Sequence, residues 1–220
     1  MTTAAKNSLR TAATLIAFTA LGTGLLAYTF EITKDNIAKN EEQAKRELID
    51  QALPKPLYDN DIVNDVVLLP PTPDLGTTHA SSAYRARLHG APSALVLEVI
   101  APDGYSGKIN LIIAIQSNGE LAGVRVVSHN ETPGLGDYID ILKSNWIKQF
   151  DHASLAQYDA QAWKVKKDGG HFDYMTGATI TPRAVVKATY KALRYYEQHG
   201  SEIFARPALT SGHDDGPSTK

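Results

Sequence analysis

The sequence predicts an α+β protein in which a single N-terminal transmembrane helix precedes an antiparallel-sheet domain with flanking helices. Three observations support this class. Residues 12–30 form an uncharged apolar run, and residues 62–129 contain several segments that are β-branched or alternate between apolar and polar residues. Residues 182–199 carry apolar side chains at helical spacing. Hydrophobic residues make up 43% of the 220 positions and charged residues 21%, which is enough apolar material for a globular core.

The composition excludes several kinds of site. The net charge is −2 and no run of Lys or Arg stands out, so no nucleic-acid partner is predicted. There are no cysteines, which excludes disulfides, a thiolate nucleophile, Cys-ligated iron–sulfur clusters and covalent c-type haem. The seven histidines form neither an HExxH motif nor an i, i+4 pair. No metal site is predicted.

Residues 12–30, AATLIAFTALGTGLLAYTF, have about the length needed to cross a hydrocarbon core of roughly 30 Å. Lys6 and Arg10 precede the run and Glu31 follows it, so residues 1–11 are predicted to be cytoplasmic and the rest of the chain to lie outside. In a bacterium with two membranes this means an inner-membrane anchor and a periplasmic domain. Two alternatives remain: a cleaved signal peptide, although no A-x-A-like site follows the run, and a buried helix.

Residues 31–56 predict a helical connector that ends at the prolines 54 and 56, and residues 57–200 predict the sheet domain. The turn Ser117-Asn118-Gly119 predicts a hairpin between the last two strands, because Asn-Gly accepts the backbone angles of tight turns. The predicted strands are residues 62–69, 81–88, 94–101, 108–116 and 120–129.

Beyond the sheet, residues 137–150 predict a helix with one broad apolar face, and residues 163–167 predict a short strand. The final helix is predicted from Pro182 to His199, with Thr181 as its N-cap. Residues 201–220 are predicted to form a polar, loose tail. The apolar face of the first of these helices would contain Ile139, Leu142, Trp146, Ile147 and Phe150.

The stretch DYMTGAT, residues 173–179, contains a hydroxyl with no evident structural task, that of Thr179. Gly177 and Ala178 have almost no side chain, so another molecule can approach the backbone there. Thr179 lies just before a helix start, where free amides and the helix dipole favour an anion such as a phosphate. The residues alone therefore indicate an anion site or a plain turn, and they identify no ligand.

The pattern D-x-x-T-G-A-T, from Asp173 to Thr179, resembles the flavinylation motif of FMN-binding domains, in which a phosphoester joins FMN to the hydroxyl of the last threonine. The order of anchor, extracytoplasmic domain, ETPGLG loop at residues 131–136 and TGAT resembles the G-subunit family of Rnf/Rsx ion-translocating electron-transport complexes over nearly all of residues 1–200. The resemblance implies one covalent FMN on Thr179, delivered from FAD by a separate magnesium-dependent flavin transferase. It implies no catalytic residue in this chain.

The same resemblance implies further residues that hold the cofactor. The glycines of the ETPGLG loop would let the flavin ring lie against backbone, and Glu131 or Thr132 would bond a ring edge; a simple strand-to-helix connection is compatible with this. Arg183 and Lys187 are candidates for pairing with the phosphate, with surface solvation as the alternative. Tyr174, Met175 and Tyr138 are candidates for packing on the ring, although core packing is more common for an aromatic residue near such a site. The implied cofactor-binding residues besides Thr179 are Thr176, Gly177, Ala178, Glu131, Thr132, Gly134, Leu135 and Gly136.

The expected function is that of an electron-carrier subunit with no turnover of its own, working with other membrane subunits of one complex. Two alternatives remain. The related C subunit of the sodium-translocating NADH:quinone reductase shares a TGAT-type motif, but its extracytoplasmic domain is longer. A redox-silent, membrane-anchored adaptor would need no flavin.

Overall fold

A computed structural model describes residues 3–209, and the side chains of residues 9–34, 40 and 43–209. The chain divides into two compact units between Ala44 and Lys45. The helices are α1 (Thr3–Ala52) and α2 (Ile180–Ala205), with short 3₁₀ segments at Lys55–Leu57, Asp137–Ile139, Trp146–Phe150 and Lys166–Asp168. The strands are β1 (Val66–Leu69), β2 (Ser81–Leu88), β3 (Ala91–Gly104), β4 (Gly107–Gln116) and β5 (Leu121–Ser128).

In the first unit, the stretch Leu9–Lys34 of α1 is long and apolar enough to cross a membrane, and it contains the predicted span. Its apolar side chains are exposed on every side; Phe18, for example, is 70% exposed. A helix that is apolar all round requires apolar surroundings. The hydroxyls of Thr14 and Thr29 donate to the carbonyl oxygens four residues earlier, so the helix itself satisfies these polar groups.

In the second unit, five antiparallel strands form a meander in the order β1-β2-β3-β4-β5. The β2–β3 hairpin turns at His89 and Gly90, whose φ angles of 52° and 80° are those of a type I′ turn. The β4–β5 hairpin confirms the prediction for residues 108–129. Its loop ends at Gly119, with φ 86°, and the Gln116 amide donates to the Glu120 carbonyl oxygen at 2.8 Å.

Both faces of the sheet are covered within this second unit. Helix α2 packs on one face and forms the larger core, while the last turns of α1 and the segment after them cover part of the other face. Gly123 permits this second contact, because a Cβ there would lie 2.6 Å from the Ala52 carbonyl oxygen. The larger core includes Leu95, Leu97, Leu111, Ile113, Val185 and Leu193; the smaller includes Ile49, Leu53, Ile62, Tyr84, Val96 and Ile112.

The predicted helix over residues 137–150 is wrong: the segment contains two short 3₁₀ stretches. Polar side chains compete with the helical hydrogen bonds between them. The Asp140 carboxylate accepts the Leu142 amide at 2.9 Å, and the Ser144 hydroxyl accepts the Trp146 amide at 3.0 Å while donating to the Tyr138 carbonyl at 2.9 Å. Leu142, expected on the apolar face, is consequently 86% exposed.

Helix α2 extends beyond its predicted end, so residues 201–205 are helical where a loose tail was predicted. Ile203 is buried in the core, and the buried Arg85 guanidinium donates to the Ile203 and Phe204 carbonyl oxygens at 3.3 Å. These bonds satisfy carbonyls that a helix end otherwise leaves free. Residues 210–220 of the predicted tail lie outside the described residues. The predicted strand at 163–167 is reduced to an isolated bridge between Val165 and Phe172.

Candidate functional site

A cleft of about 370 Å³ lies where the 131–136 loop, the tip of the β3–β4 hairpin and the start of α2 converge. The structure thereby brings together two motifs, residues 131–136 and 173–179, that are separated by 36 residues in the sequence. Seven of the nine predicted cofactor residues line the cleft: Glu131, Thr132, Leu135, Gly136, Gly177, Ala178 and Thr179. Tyr105, Ile180 and Thr181 line it as well.

The two remaining predicted residues, Thr176 and Gly134, are exposed beside the cleft and are not part of its lining. Gly134 has a φ of 76°, and its amide donates to the Asp137 carboxylate at 2.8 Å. Thr176 is the first central residue of a turn from Met175 to Ala178, in which the Ala178 amide donates to the Met175 carbonyl at 3.1 Å. Gly177 is the second central residue and has a φ of 92°. A positive φ at this position is the requirement of a type II turn.

Thr179, and not Thr181, is the N-cap residue of α2, so the predicted cap is wrong. The Thr179 side chain makes no capping hydrogen bond and is half-buried at the cleft. The amides of Ile180 and Thr181 follow in the first turn, where a helix has no internal acceptors, and Pro182 carries no N–H group. The hydroxyl of Thr179 therefore stands at the positive end of the helix dipole without serving the helix as a cap.

Thr181 instead bonds to Glu131. Its hydroxyl donates to Glu131 Oε2 at 2.5 Å, and the Ser106 amide donates to Glu131 Oε1 at 3.0 Å. Glu131 is only 4% exposed, and its carboxylate joins the loop, the hairpin tip and α2 beneath the cleft. Gly136 makes this approach possible, since a Cβ there would lie 2.7 Å from Glu131 Oε2. Both carboxylate oxygens of Glu131 thus hold the fold together at this point.

The two basic candidates for the phosphate already have partners. Arg183 makes a two-pronged ion pair with Asp168, both N···O distances being 2.6 Å. This pairing lowers the pKa of the Asp168 carboxyl and raises the pKa of Arg183. Lys187 pairs with Asp103 at 2.5 Å. No Lys or Arg lines the cleft within the described part of the chain, so an anion here would be held by the helix start.

Large apolar side chains are exposed around the cleft: Tyr105 is 69% exposed, Leu135 49% and Ile180 45%. Sequence reasoning missed Tyr105. An aromatic residue within the turn sequence DGYSG, where polar residues are usual, could have indicated that Tyr105 has a role at the site. Tyr138, in contrast, is 5% exposed and packs in the core, which was the alternative to packing on the ring.

The cleft fits an FMN group in size and chemistry. Its volume falls in the range of small-molecule sites, roughly 300–1,000 Å³. The exposed apolar rim suits a flat aromatic ring, and the helix start with its adjacent hydroxyl suits a phosphate.

Comparisons with known proteins identify the class of this domain. A family described as the FMN-binding domain matches residues 104–194, which include the hairpin tip, the 131–136 loop, the TGAT turn and the start of α2. A second family, the RnfG N-terminal region, matches residues 1–52, which include the apolar stretch of α1.

Similar full-length proteins name the family. The G subunit of the ion-translocating oxidoreductase complex of Vibrio atlanticus is 43% identical over 198 residues, which is 90% of this chain and 94% of that one. The protein of the same name from Shewanella oneidensis is 45% identical, over 88% of this chain and 91% of that one. The one from Pseudomonas aeruginosa is 44% identical, over 95% of this chain and 97% of that one. The chain belongs to the G-subunit family of ion-translocating oxidoreductase complexes. This membership and the stretch Leu9–Lys34, which is long and apolar enough to cross a membrane, together support anchoring of the protein in a membrane.

Proposed function

We propose that this chain carries one FMN, joined by a phosphoester to the hydroxyl of Thr179, and serves as an electron-carrier subunit of an Rnf-type complex. The position of the Thr179 hydroxyl carries this proposal. It lies in the cleft where the predicted cofactor residues converge, at the start of α2, and the helix does not use it as a cap. FMN, when bound, supplies the electron chemistry in a sequence that has no cysteine and therefore neither a thiol nor a Cys-ligated cluster.

Attachment requires the chain to supply an alcohol, while a separate flavin transferase supplies FAD and activates the reaction. The Thr179 oxygen forms a bond to the phosphorus of the FMN half of FAD, the bond from that phosphorus to the AMP oxygen breaks, and AMP leaves. The hydroxyl proton passes to the transferase or to solvent. Exposed Thr176 and Gly177, which precede the acceptor on the turn, leave room for the transferase to approach.

After attachment, the chain's residues hold and orient the group. The start of α2 stabilises the phosphate charge, and Gly177, where a Cβ would meet no atom within 4 Å, leaves the backbone open to the ring. Tyr105 and Leu135 provide apolar surface on the loop and hairpin side. Because the ring would lie at a cleft open to solvent, a partner subunit could approach it closely enough to exchange electrons.

The proposed setting is a bacterial inner membrane with residues 1–11 in the cytoplasm and the sheet domain in the periplasm, beside the other membrane subunits of the complex. Protease added to inverted vesicles tests this orientation. The sheet domain should be protected there and cleaved in spheroplasts; cleavage with the opposite sidedness would overturn it.

In-gel flavin fluorescence tests the attachment with a matched pair of variants, using the full chain co-expressed with a flavin transferase. Thr179→Val keeps the shape of the side chain but removes the hydroxyl, and it should give a denatured band without fluorescence. Thr179→Ser keeps a hydroxyl and should retain the fluorescent band. A fluorescent Thr179→Val band would refute the assignment, and an unlabelled wild-type chain would favour the redox-silent adaptor.

A further inference from the structure

We propose that Tyr138 is a positioning residue for flavin attachment: its hydroxyl holds the Met175–Ala178 turn in the conformation that presents the Thr179 hydroxyl to the incoming phosphorus. This inference rests on the proposed function of Thr179.

The hydrogen bonds of the turn support this role. Met175 and Ala178 face each other as an antiparallel pair, and the Ala178 amide donates to the Met175 carbonyl at 3.1 Å. A hydrogen-bonded pair of this kind ordinarily exchanges a second, reciprocal bond. Here the Tyr138 hydroxyl takes the place of that bond: it accepts the Met175 amide at 3.2 Å and donates to the Ala178 carbonyl at 3.3 Å.

The Tyr138 ring is itself held firmly. It is 5% exposed and makes an edge-to-face contact with Trp146 at a centroid distance of 5.4 Å. The Trp146 indole N–H donates to the Asp173 carbonyl at 2.8 Å, so the same aromatic pair contacts the motif at a second point. Burial raises the pKa of Tyr138, which keeps the hydroxyl protonated and able to donate at neutral pH.

Tyr138 acts through the turn and not on the ligand, because it does not line the cleft. The Ala178 carbonyl that it binds belongs to the peptide leading directly into Thr179. Without the phenol, the Met175 amide and the Ala178 carbonyl would bond to each other or to a mobile water molecule. The peptide leading into Thr179 would then be free to rotate, and the Thr179 hydroxyl would no longer be held in one position. A displacement of about 1 Å at a reacting atom can reduce a rate on the order of 100-fold.

The test measures the initial rate of flavin labelling of the full chain in detergent, with FAD and flavin transferase, as the chain concentration is varied. Tyr138→Phe should lower the saturating rate by roughly 10- to 100-fold. It should leave the half-saturating chain concentration unchanged, because a buried hydroxyl cannot contact the transferase. Tyr84→Phe is the matched control. Tyr84 is also buried, at 4% exposed, and its hydroxyl donates to Glu98 at 2.8 Å on the sheet face opposite α2, so this variant should label at the wild-type rate.

Three results would overturn the role of Tyr138: a wild-type labelling rate for Tyr138→Phe, an equal fall in Tyr84→Phe, or a change confined to the half-saturating concentration. Each leaves the proposed function standing as long as Thr179→Val remains unlabelled. A wild-type chain that takes no label, or a labelled Thr179→Val chain, refutes the proposed function itself and the role of Tyr138 with it.

Discussion

Replacing Thr181 by Val tests the bond between Thr181 and Glu131 that ties the two sides of the cleft together. The substitution keeps the shape of the side chain and removes the hydroxyl that donates to Glu131 Oε2. Glu131 is 4% exposed and Thr181 is 1% exposed, and both residues line the cleft. The carboxylate oxygen would therefore lose a charge-assisted hydrogen bond, which a water molecule entering from the cleft would replace only in part.

The expected loss follows from this burial. A hydrogen bond to a charged group contributes about 1.5–3 kcal/mol. We expect the free energy of unfolding to fall by about 1.5–3 kcal/mol, which corresponds to a Tm lower by about 3–12 °C for a domain of this size.

Thermal and urea unfolding of the full chain in detergent measure the loss. Thr189→Val is the control, because Thr189 is fully buried on the same helix but its hydroxyl donates only to the Val185 carbonyl four residues earlier. This control should change stability by less than about 1 kcal/mol. If Thr181→Val unfolds within about 0.5 kcal/mol of wild type, the Glu131–Thr181 bond does not stabilise the cleft as argued.

Three further substitutions test other parts of the sheet domain. Gly136→Ala would place a Cβ 2.7 Å from Glu131 Oε2, and we expect thermal melts to show a loss of about 1–3 kcal/mol; an unchanged Tm would contradict that close approach. Arg85→Ala would remove one of the two arginine partners of Asp65, the other being Arg87, and the donor to the last α2 carbonyls. The urea midpoint should fall by the equivalent of about 3 kcal/mol, the lower end of the cost of breaking a buried pair, and a small change would show that this buried network is dispensable. Burial raises the pKa of Asp151 above its ordinary value, so the folded state binds this proton more tightly than the unfolded state and stability falls as the pH rises from about 4 through the raised pKa. Urea unfolding at a series of pH values measures this fall, and Asp151→Asn should remove the part of it that Asp151 causes. An identical dependence of stability on pH in the two proteins would contradict the raised pKa of Asp151.

The sheet could be predicted from the sequence because its signals are local. The β-branched or alternating residues of 81–88 and 108–116, and the turn at Gly119, are properties of neighbouring residues, and β2 has the predicted bounds. The 137–150 segment was mispredicted because its apolar spacing is helical while Asp140 and Ser144 bind backbone groups that a helix would need.

The motif residues of the cleft were predicted by resemblance, but their mutual support was not. The bond between Glu131 and Thr181 joins residues 50 positions apart, and no local pattern specifies that pairing. Thr181 precedes a proline, as N-cap residues commonly do, so the sequence predicted a cap and not the bond to Glu131. Tyr105 was missed because its contribution depends on where the hairpin tip lies relative to the 131–136 loop.

Peptide mass spectrometry tests the covalent FMN on Thr179 most directly. Trypsin releases residues 168–183, a peptide that contains Thr176, Thr179 and Thr181. For the full chain isolated after co-expression with a flavin transferase, we predict one FMN mass on this peptide and fragment ions that place the phosphoester on Thr179. An unmodified peptide from the fully labelled preparation, or fragments that place the group on Thr176 or Thr181, would contradict the assignment.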